Sequence, residues 1–191
     1  NTKTKPRIHS AFFVTFNTCD SMGANFINSI LEAFGHTLQD FFRRQEHLDD
    51  GDRNVEIIMC ILSNYTPECR VKVWVECPVS ELDNVDEFLD GEQFAHKFKK
   101  AVDIAHIDPY RAATHNKGIY NGIDAVVIAT GNDFRATEAA GHSYASRDGR
   151  YKSLSYVEIN EGIFRFTLEV PLALGTVGGL TSLHPLAKKS L

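Results

Sequence analysis

From Phe26 onward the apolar residues recur at intervals of three and four, through Ile27, Ile30, Leu31, Phe34, Leu38, Phe41 and Phe42. That spacing predicts one long amphipathic helix opening at "CDSMGAN", with Asp20 placed to cap it. Before it, "IHSAFFVTF" (residues 8–16) is β-branched and aromatic and reads as a strand. After it, "NVEIIMCILS" reads as a buried strand, and "RVKVWVEC" alternates, with Val71, Val73 and Val75 on one face and Lys72, Trp74 and Glu76 on the other. "NYTPE" between the two suits a hairpin loop, so the pattern predicts β-α-β-β over about the first 77 residues.

"PVSELDNVDEFLDGEQ" is polar and acidic and reads as a solvated linker or a short helix. Phe94, Phe98, Ala101, Val102 and Ala105 then fall in helical register from about Glu92, and the residue before Pro109 disfavours the helix and ends it. The domain boundary is expected between residues 78 and 110. Two further helices follow, the apolar "GIYNGIDAVVIATGN" and "FRATEAAGHSYASRDG", whose small residues suit close packing. "SLSYVEINEGIFRFTLEVPLALG" predicts a hairpin turning at Asn160 to Gly162, before the glycine-rich loop "GTVGGLTSLHP". The fold class is α+β in two parts.

Composition narrows the function classes. With 191 residues, 43% of them hydrophobic, the chain can bury a sizeable core. A net charge of −5, spread along the chain, points away from nucleic acid and from anionic membranes. No apolar run reaches the roughly 20 residues of a membrane span, and the cytoplasm is the default location. Cys19, Cys60, Cys69 and Cys77 form no CxxC pair and no zinc-like spacing, so they read as reduced, structural thiols, and no metal is expected. "NTKTKPR" looks like a linker and "HPLAKKSL" like the start of an amphipathic helix, which fits a piece of a longer protein.

The candidate chemistry gathers around "RAATHNKGIYNGIDAVVIATGND". Lys117 and Asp133 stand at opposite ends of its apolar segment and cannot touch along a straight helix. Lys117 is either a surface charge, poorly placed against the helix dipole, or a group that stabilises an oxyanion or forms a Schiff base. Asp133 is placed to cap the next helix. Arg111, just past Pro109, could hold a carboxylate or phosphate with two parallel hydrogen bonds. "DSMGAN", with Asp20, Met22, Gly23 and Asn25, opens a helix whose free N–H groups suit an anion or nucleotide, or simply starts a helix. His36, His96, His106 and His184 show no partner in the sequence.

Three of these clusters, in order, resemble the class II 3-hydroxy-3-methylglutaryl-coenzyme A (HMG-CoA) reductases. "DSMGAN" is similar to that family's dinucleotide-binding "DAMGAN" element, and Ser21 is a small departure from it. "DPYRAATHNKGIYNGIDAVVIATGNDFRA" resembles the stretch carrying its active-site lysine and aspartate, and "LGTVGGLTSLHPLAK" its later glycine-rich segment. The resemblance covers nearly the whole chain. It implies reduction of HMG-CoA to mevalonate and coenzyme A by two hydrides from NAD(H) or NADP(H), or the reverse oxidation. It further implies that Lys117 faces the thioester or aldehyde oxygen, that Asp133 belongs to its network, and that Arg111 grips the substrate carboxylate. The resemblance also implies that Asn121 hydrogen-bonds in the same network and that Asp20, Met22, Gly23 and Asn25 meet the cofactor.

The same resemblance makes residues 1–78 the later half of a small ferredoxin-like cofactor domain, 79–110 a connection, and 111–191 part of a mostly helical substrate domain. It implies a homodimer with the active site at the subunit interface. The family also uses a glutamate from an upstream segment and a histidine on a C-terminal flap; neither is in this chain, which is therefore expected to be inactive alone. A Schiff-base lyase using Lys117, or a binding module that holds a nucleotide or coenzyme A without chemistry, are the competing expectations.

Overall fold

The computed structural model describes residues 10–191, so the "NTKTKPR" linker and the first two residues of the expected strand at 8–16 lie outside the described residues. The elements run α1 (Ala24–Arg43), α2 (Asp50–Arg53), β1 (Arg70–Pro78), a 3-10 turn (Val79–Leu82), α3 (Gly91–Ile107), α4 (Pro109–Ala129) and α5 (Phe134–Ala145). β2 (Ser155–Asn160), β3 (Ile163–Pro171) and the short helices α6 (Gly179–Leu183) and α7 (Pro185–Ser190) follow. Contacts divide the chain into two compact units: Gly23–Cys60 with the described residues up to Cys19, and Ile61–Leu191 with Asp20–Met22.

The first unit is built on α1. Residues 10–16 and 54–63 carry no strand hydrogen bonding, so the expected β-α-β-β unit is not formed. Gly35 lets the chain pass close: a Cβ there would sit 2.6 Å from Cys60 Sγ, and Gln39 Nε2 donates to the Val55 carbonyl at 3.1 Å. Asp20 is not the helix cap. The N-cap is Gly23, in the left-handed region at φ 78°, and no side chain closes the first turn. Left-handed backbone is cheap for glycine alone, which puts the chain reversal at Gly23 and moves the Asp20 carboxylate off the cap position.

The second unit holds the one sheet of the described residues, antiparallel in the order β1-β3-β2. The alternation read in β1 is realised, but its partner is β3 and not residues 54–63. Val71, Val73, Val75 and Cys77 stand opposite Val170, Leu168, Phe166 and Phe164. Because β1 pairs along its whole length with β3, contacts divide the chain at Cys60, ahead of the boundary expected at 78–110. The expected hairpin joins β2 to β3 through Glu161 and Gly162, at φ 52° and 76°, the two positive values that a tight two-residue turn requires.

Two apolar clusters fix the helices to this sheet. Ala95 and Val102 of α3 meet Val157 and Phe164, and Phe98 sets its ring edge-on to Phe164 and Phe166 at 5.6 and 5.9 Å. Burying a residue such as Val102 contributes about 1.5–3 kcal/mol. Tyr120 and Tyr144 join α4 and α5 to Leu154 and Val170. Asp90 caps α3 through the Gln93 N–H at 2.8 Å. Asp108, in extended backbone before Pro109, ends α3 and caps α4 through Tyr110 N–H at 3.0 Å. The acidic stretch after β1 begins with the 3-10 turn, and the α+β class is as expected.

Candidate functional site

α4 has two faces with different work. One turn of an α-helix advances about 3.6 residues, so Ala112, Asn116, Tyr120 and Val127 form one stripe, and all four are buried. Asn116 is 0% exposed and grips the chain ahead of β2: its Nδ2 donates to the Lys152 carbonyl at 2.9 Å and its Oδ1 accepts from Leu154 N–H at 3.1 Å. His115 Nε2 meets the Ser155 hydroxyl at 2.7 Å. Burial lowers the His115 pKa below its ordinary value, and the Arg111 and His106 charges act in the same direction. His106 Nε2 in turn lies 2.9 Å from the Ser155 carbonyl, and its ring stacks on Tyr156. Two of the polar residues that open α4 are therefore anchors.

The other face of α4 carries Arg111, Lys117 and Asn121. At about 100° per residue the three fall within roughly 120° of one another, with Lys117 and Asn121 one turn apart. Lys117 and Asn121 are exposed and Arg111 is half-buried. Among the described residues none of their side chains makes a hydrogen bond or an ion pair. Gly118 and Gly122 border them, and a Cβ at either would meet nothing within 4 Å. The face is open and polar.

Asp133 lies elsewhere, past the C-terminus of α4. Its Oδ1 accepts the Ala136 N–H at 3.1 Å and caps α5, as expected, with Arg135 Nε 3.9 Å away. Roughly 18 Å of helix separates Lys117 from Ala129, so the structure does not bring Lys117 and Asp133 of one chain together.

At "DSMGAN", the Asp20 carbonyl accepts from Thr176 N–H at 2.8 Å and Val177 N–H at 3.3 Å, which ties "DSM" to the glycine-rich loop. Gly23 and Asn25 belong to the start of α1. Gly178 and Gly179 hold φ 81° and 53°, backbone that favours glycine, with open space where a Cβ would stand. Residue patterns mark Asn132 only as one of the polar residues that end this stretch and give it no role; its side chain meets Gly175 of this loop. Its only local signal is its place after Gly131, whose φ of 72° turns the chain out of α4. His184 sits between α6 and α7 and makes no side-chain cap, and the one ion pair of His96 is with Glu92 at 4.0 Å.

A hollow of about 460 Å³ lies between α3 and the sheet strands, lined by Lys72, Asp103, His106, Tyr156, Thr167 and Glu169 among others. It includes none of Arg111, Lys117, Asn121 or Asp133. Among the described residues no three His, Cys, Asp or Glu side chains gather as a metal site, and no helix is long and apolar enough to cross a membrane.

Comparison with known proteins bears on the family of the chain and on its fold. The family model for hydroxymethylglutaryl-coenzyme A reductase matches residues 5–190. A 3-hydroxy-3-methylglutaryl-coenzyme A reductase of Archaeoglobus fulgidus is 39% identical over 175 residues, 90% of this chain and 35% of that protein. A probable reductase of Borreliella burgdorferi is 35% identical over 168 residues, 88% of this chain and 36% of that protein. A solved structure of the Streptococcus pneumoniae reductase superposes with a TM-score of 0.78 at 38% identity, covering 91% of this chain and 39% of that one. The same organism's class II enzyme, solved bound to NADPH in open conformations, gives 0.77 at the same identity. The chain thus spans little more than a third of the length of these relatives. On the family match and these identities, the chain belongs to the hydroxymethylglutaryl-coenzyme A reductase family.

Proposed function

We propose that this chain supplies the helix that binds and polarises the substrate in a nicotinamide-dependent HMG-CoA reductase, converting HMG-CoA to mevalonate and coenzyme A or running the reverse oxidation. The observation that carries the reading is the division of α4. Its buried face is fully engaged in anchoring, while Arg111, Lys117 and Asn121 stand on the open face without partners among the described residues. A free guanidinium, ammonium and carboxamide on one face match a substrate with a carboxylate at one end and a carbonyl at the other. Arg111 takes the carboxylate, Lys117 offers positive charge where the thioester or aldehyde oxygen becomes negative, and Asn121 hydrogen-bonds beside it.

Asp133 holds the lysine and the proton donors in that network. Since α4 keeps Lys117 and Asp133 of one chain apart, the reading places the site between two copies, each giving one end of its helix. This reading makes the protein a homodimer of the cytoplasm.

Asp20, Met22, Gly23 and Asn25 are the residues that would hold the dinucleotide. The start of α1, whose first turn no side chain caps, fits a phosphate or ribose. When bound, the nicotinamide supplies the hydrides; the chain's own residues bind, orient and carry charge.

The test is the full-length protein assayed for oxidation of mevalonate with coenzyme A and each nicotinamide, and for the reduction. Lys117→Ala is expected to lower kcat about 100-fold or more and to leave dinucleotide affinity nearly unchanged. A wild type without either activity, or one whose Lys117 is trapped by borohydride on a carbonyl substrate, overturns the reading.

A further inference from the structure

The turn between α4 and α5 packs on Leu180 through Gly131 and is hydrogen-bonded to the glycine-rich loop through the side chain of Asn132. Asn132 Oδ1 accepts the Gly175 N–H at 2.8 Å, and Asn132 Nδ2 donates to the Gly175 carbonyl at 3.0 Å. Nδ2 also donates to Thr130 Oγ1 at 3.1 Å, and that hydroxyl is itself fastened to the end of α4 through the Val126 and Val127 carbonyls. One carboxamide therefore closes both backbone groups of one residue, a pairing that needs a donor and an acceptor side by side. Aspartate lacks the donor.

Gly175 in turn carries the "DSM" segment. A Cβ at Gly175 would stand 2.9 Å from Met22 N and 3.4 Å from Ser21 Cα, so the two backbones touch. The next residues complete the link, with Thr176 N–H and Val177 N–H both donating to the Asp20 carbonyl. A continuous path runs from the residue beside Asp133, through Asn132 and Gly175, to the backbone of Asp20 and Met22.

We infer that Asn132 is a positioning residue for the dinucleotide: it holds the glycine-rich loop, and through it the Asp20–Met22 backbone, at a fixed distance from the Asp133 turn. It touches no reacting atom. The inference rests on the functional reading above, in which "DSMGAN" receives the cofactor.

The experiment uses the full-length protein with Asn132→Asp, which keeps size and the acceptor but sets a carboxylate oxygen against the Gly175 carbonyl, and with Gly175→Ala, which pushes on Met22 from the other side. Dinucleotide affinity is read by fluorescence titration, KM is measured for both substrates, and circular dichroism checks the fold. In each folded variant the dinucleotide KM and dissociation constant are expected to rise about tenfold or more, while the KM for HMG-CoA stays within about twofold. If Asn132→Asp does not fold, Gly175→Ala decides alone. A folded variant with wild-type dinucleotide affinity, or one that loses both substrates equally, overturns the role of Asn132. A wild type that binds no nicotinamide dinucleotide overturns the functional reading and this role with it.

Discussion

The Tyr120 hydroxyl fills the space that a side chain at position 141 would occupy. Tyr120 is 1% exposed on α4, and Gly141 presents bare backbone from α5, which lets the two helices close on the ring. Burial raises the Tyr120 phenol well above its ordinary value, so it stays protonated, with the Thr137 carbonyl 3.5 Å from its oxygen. Gly141→Ala is expected to destabilise by about 2 kcal/mol, overpacking outweighing the better helix propensity of alanine. Tyr120→Phe in the same chain should recover about 1 kcal/mol of that, because it removes the atom in conflict. Urea unfolding of the two single variants and the double variant measures this.

Asn116→Ala leaves the Lys152 carbonyl and the Leu154 N–H unpaired in the interior. The expected cost is about 3 kcal/mol, or a drop of roughly 10 °C in Tm, read by calorimetry. Lys117→Ala, one residue on but on the open face, should leave Tm nearly unchanged. If the two lose equal stability, the two-faced description of α4 is wrong.

His115 sets one limb of the pH dependence. Its folded pKa lies below the ordinary 6.5, so the folded protein resists the proton that the unfolded chain accepts. Stability from this group is fully present above pH 6.5 and is lost as the pH falls toward the folded value. His115→Gln should flatten the decline of Tm below about pH 6.5.

Asp124 works the other way. One of its oxygens is buried without a hydrogen-bond partner, and burial, then the Glu138 charge and a hydrogen bond with Glu138, raise its pKa above 3.8. A carboxyl that prefers its proton when folded stabilises at low pH and costs stability as the pH rises through its folded value. Asp124→Asn removes that cost and is expected to raise Tm at pH 7; a fall in Tm would mean that the carboxylate is wanted.

Asp133 has a structural duty that can be separated from chemistry. Asparagine caps a helix about as well as aspartate, whereas alanine costs about 1 kcal/mol. Asp133→Asn should keep Tm and lose activity, and Asp133→Ala should lose both. A fully active Asp133→Asn would reduce Asp133 to the cap of α5.

Much of this was legible along the chain. The spacing of Phe26 to Phe42, and of Phe94 to Ala105, marks α1 and α3, and Asp108–Pro109 marks the break before α4. Asp133 as cap and the turn at Glu161–Gly162 follow from local chemistry. What was not legible depends on residues far away in sequence. The alternation in β1 says which side chains share a face, and it is silent on whether residues 54–63 or β3 will pair with it. The anchoring roles of Asn116, His115 and Asn132 are invisible in the sequence because their partners, Lys152 to Ser155 and Gly175, are distant. Lys117 and Arg111 stand out from residue chemistry alone, with alternatives left open, whereas Asn121 stands out only through the motif the three share.

The pairing of β1 with β3 also has a temporal consequence. Pro78 cannot meet Ile163 until the whole of α3, α4 and α5 has been made and the hairpin after them has turned. β1, with Val73 and Val75 more than half exposed even when paired, must wait as an open edge during that interval. Closing so long a loop is slow, and the rate of reaching the native state should be governed by docking of the β2–β3 hairpin. The strand that emerges early is thus the part of the chain most in need of protection against pairing with a neighbour during synthesis.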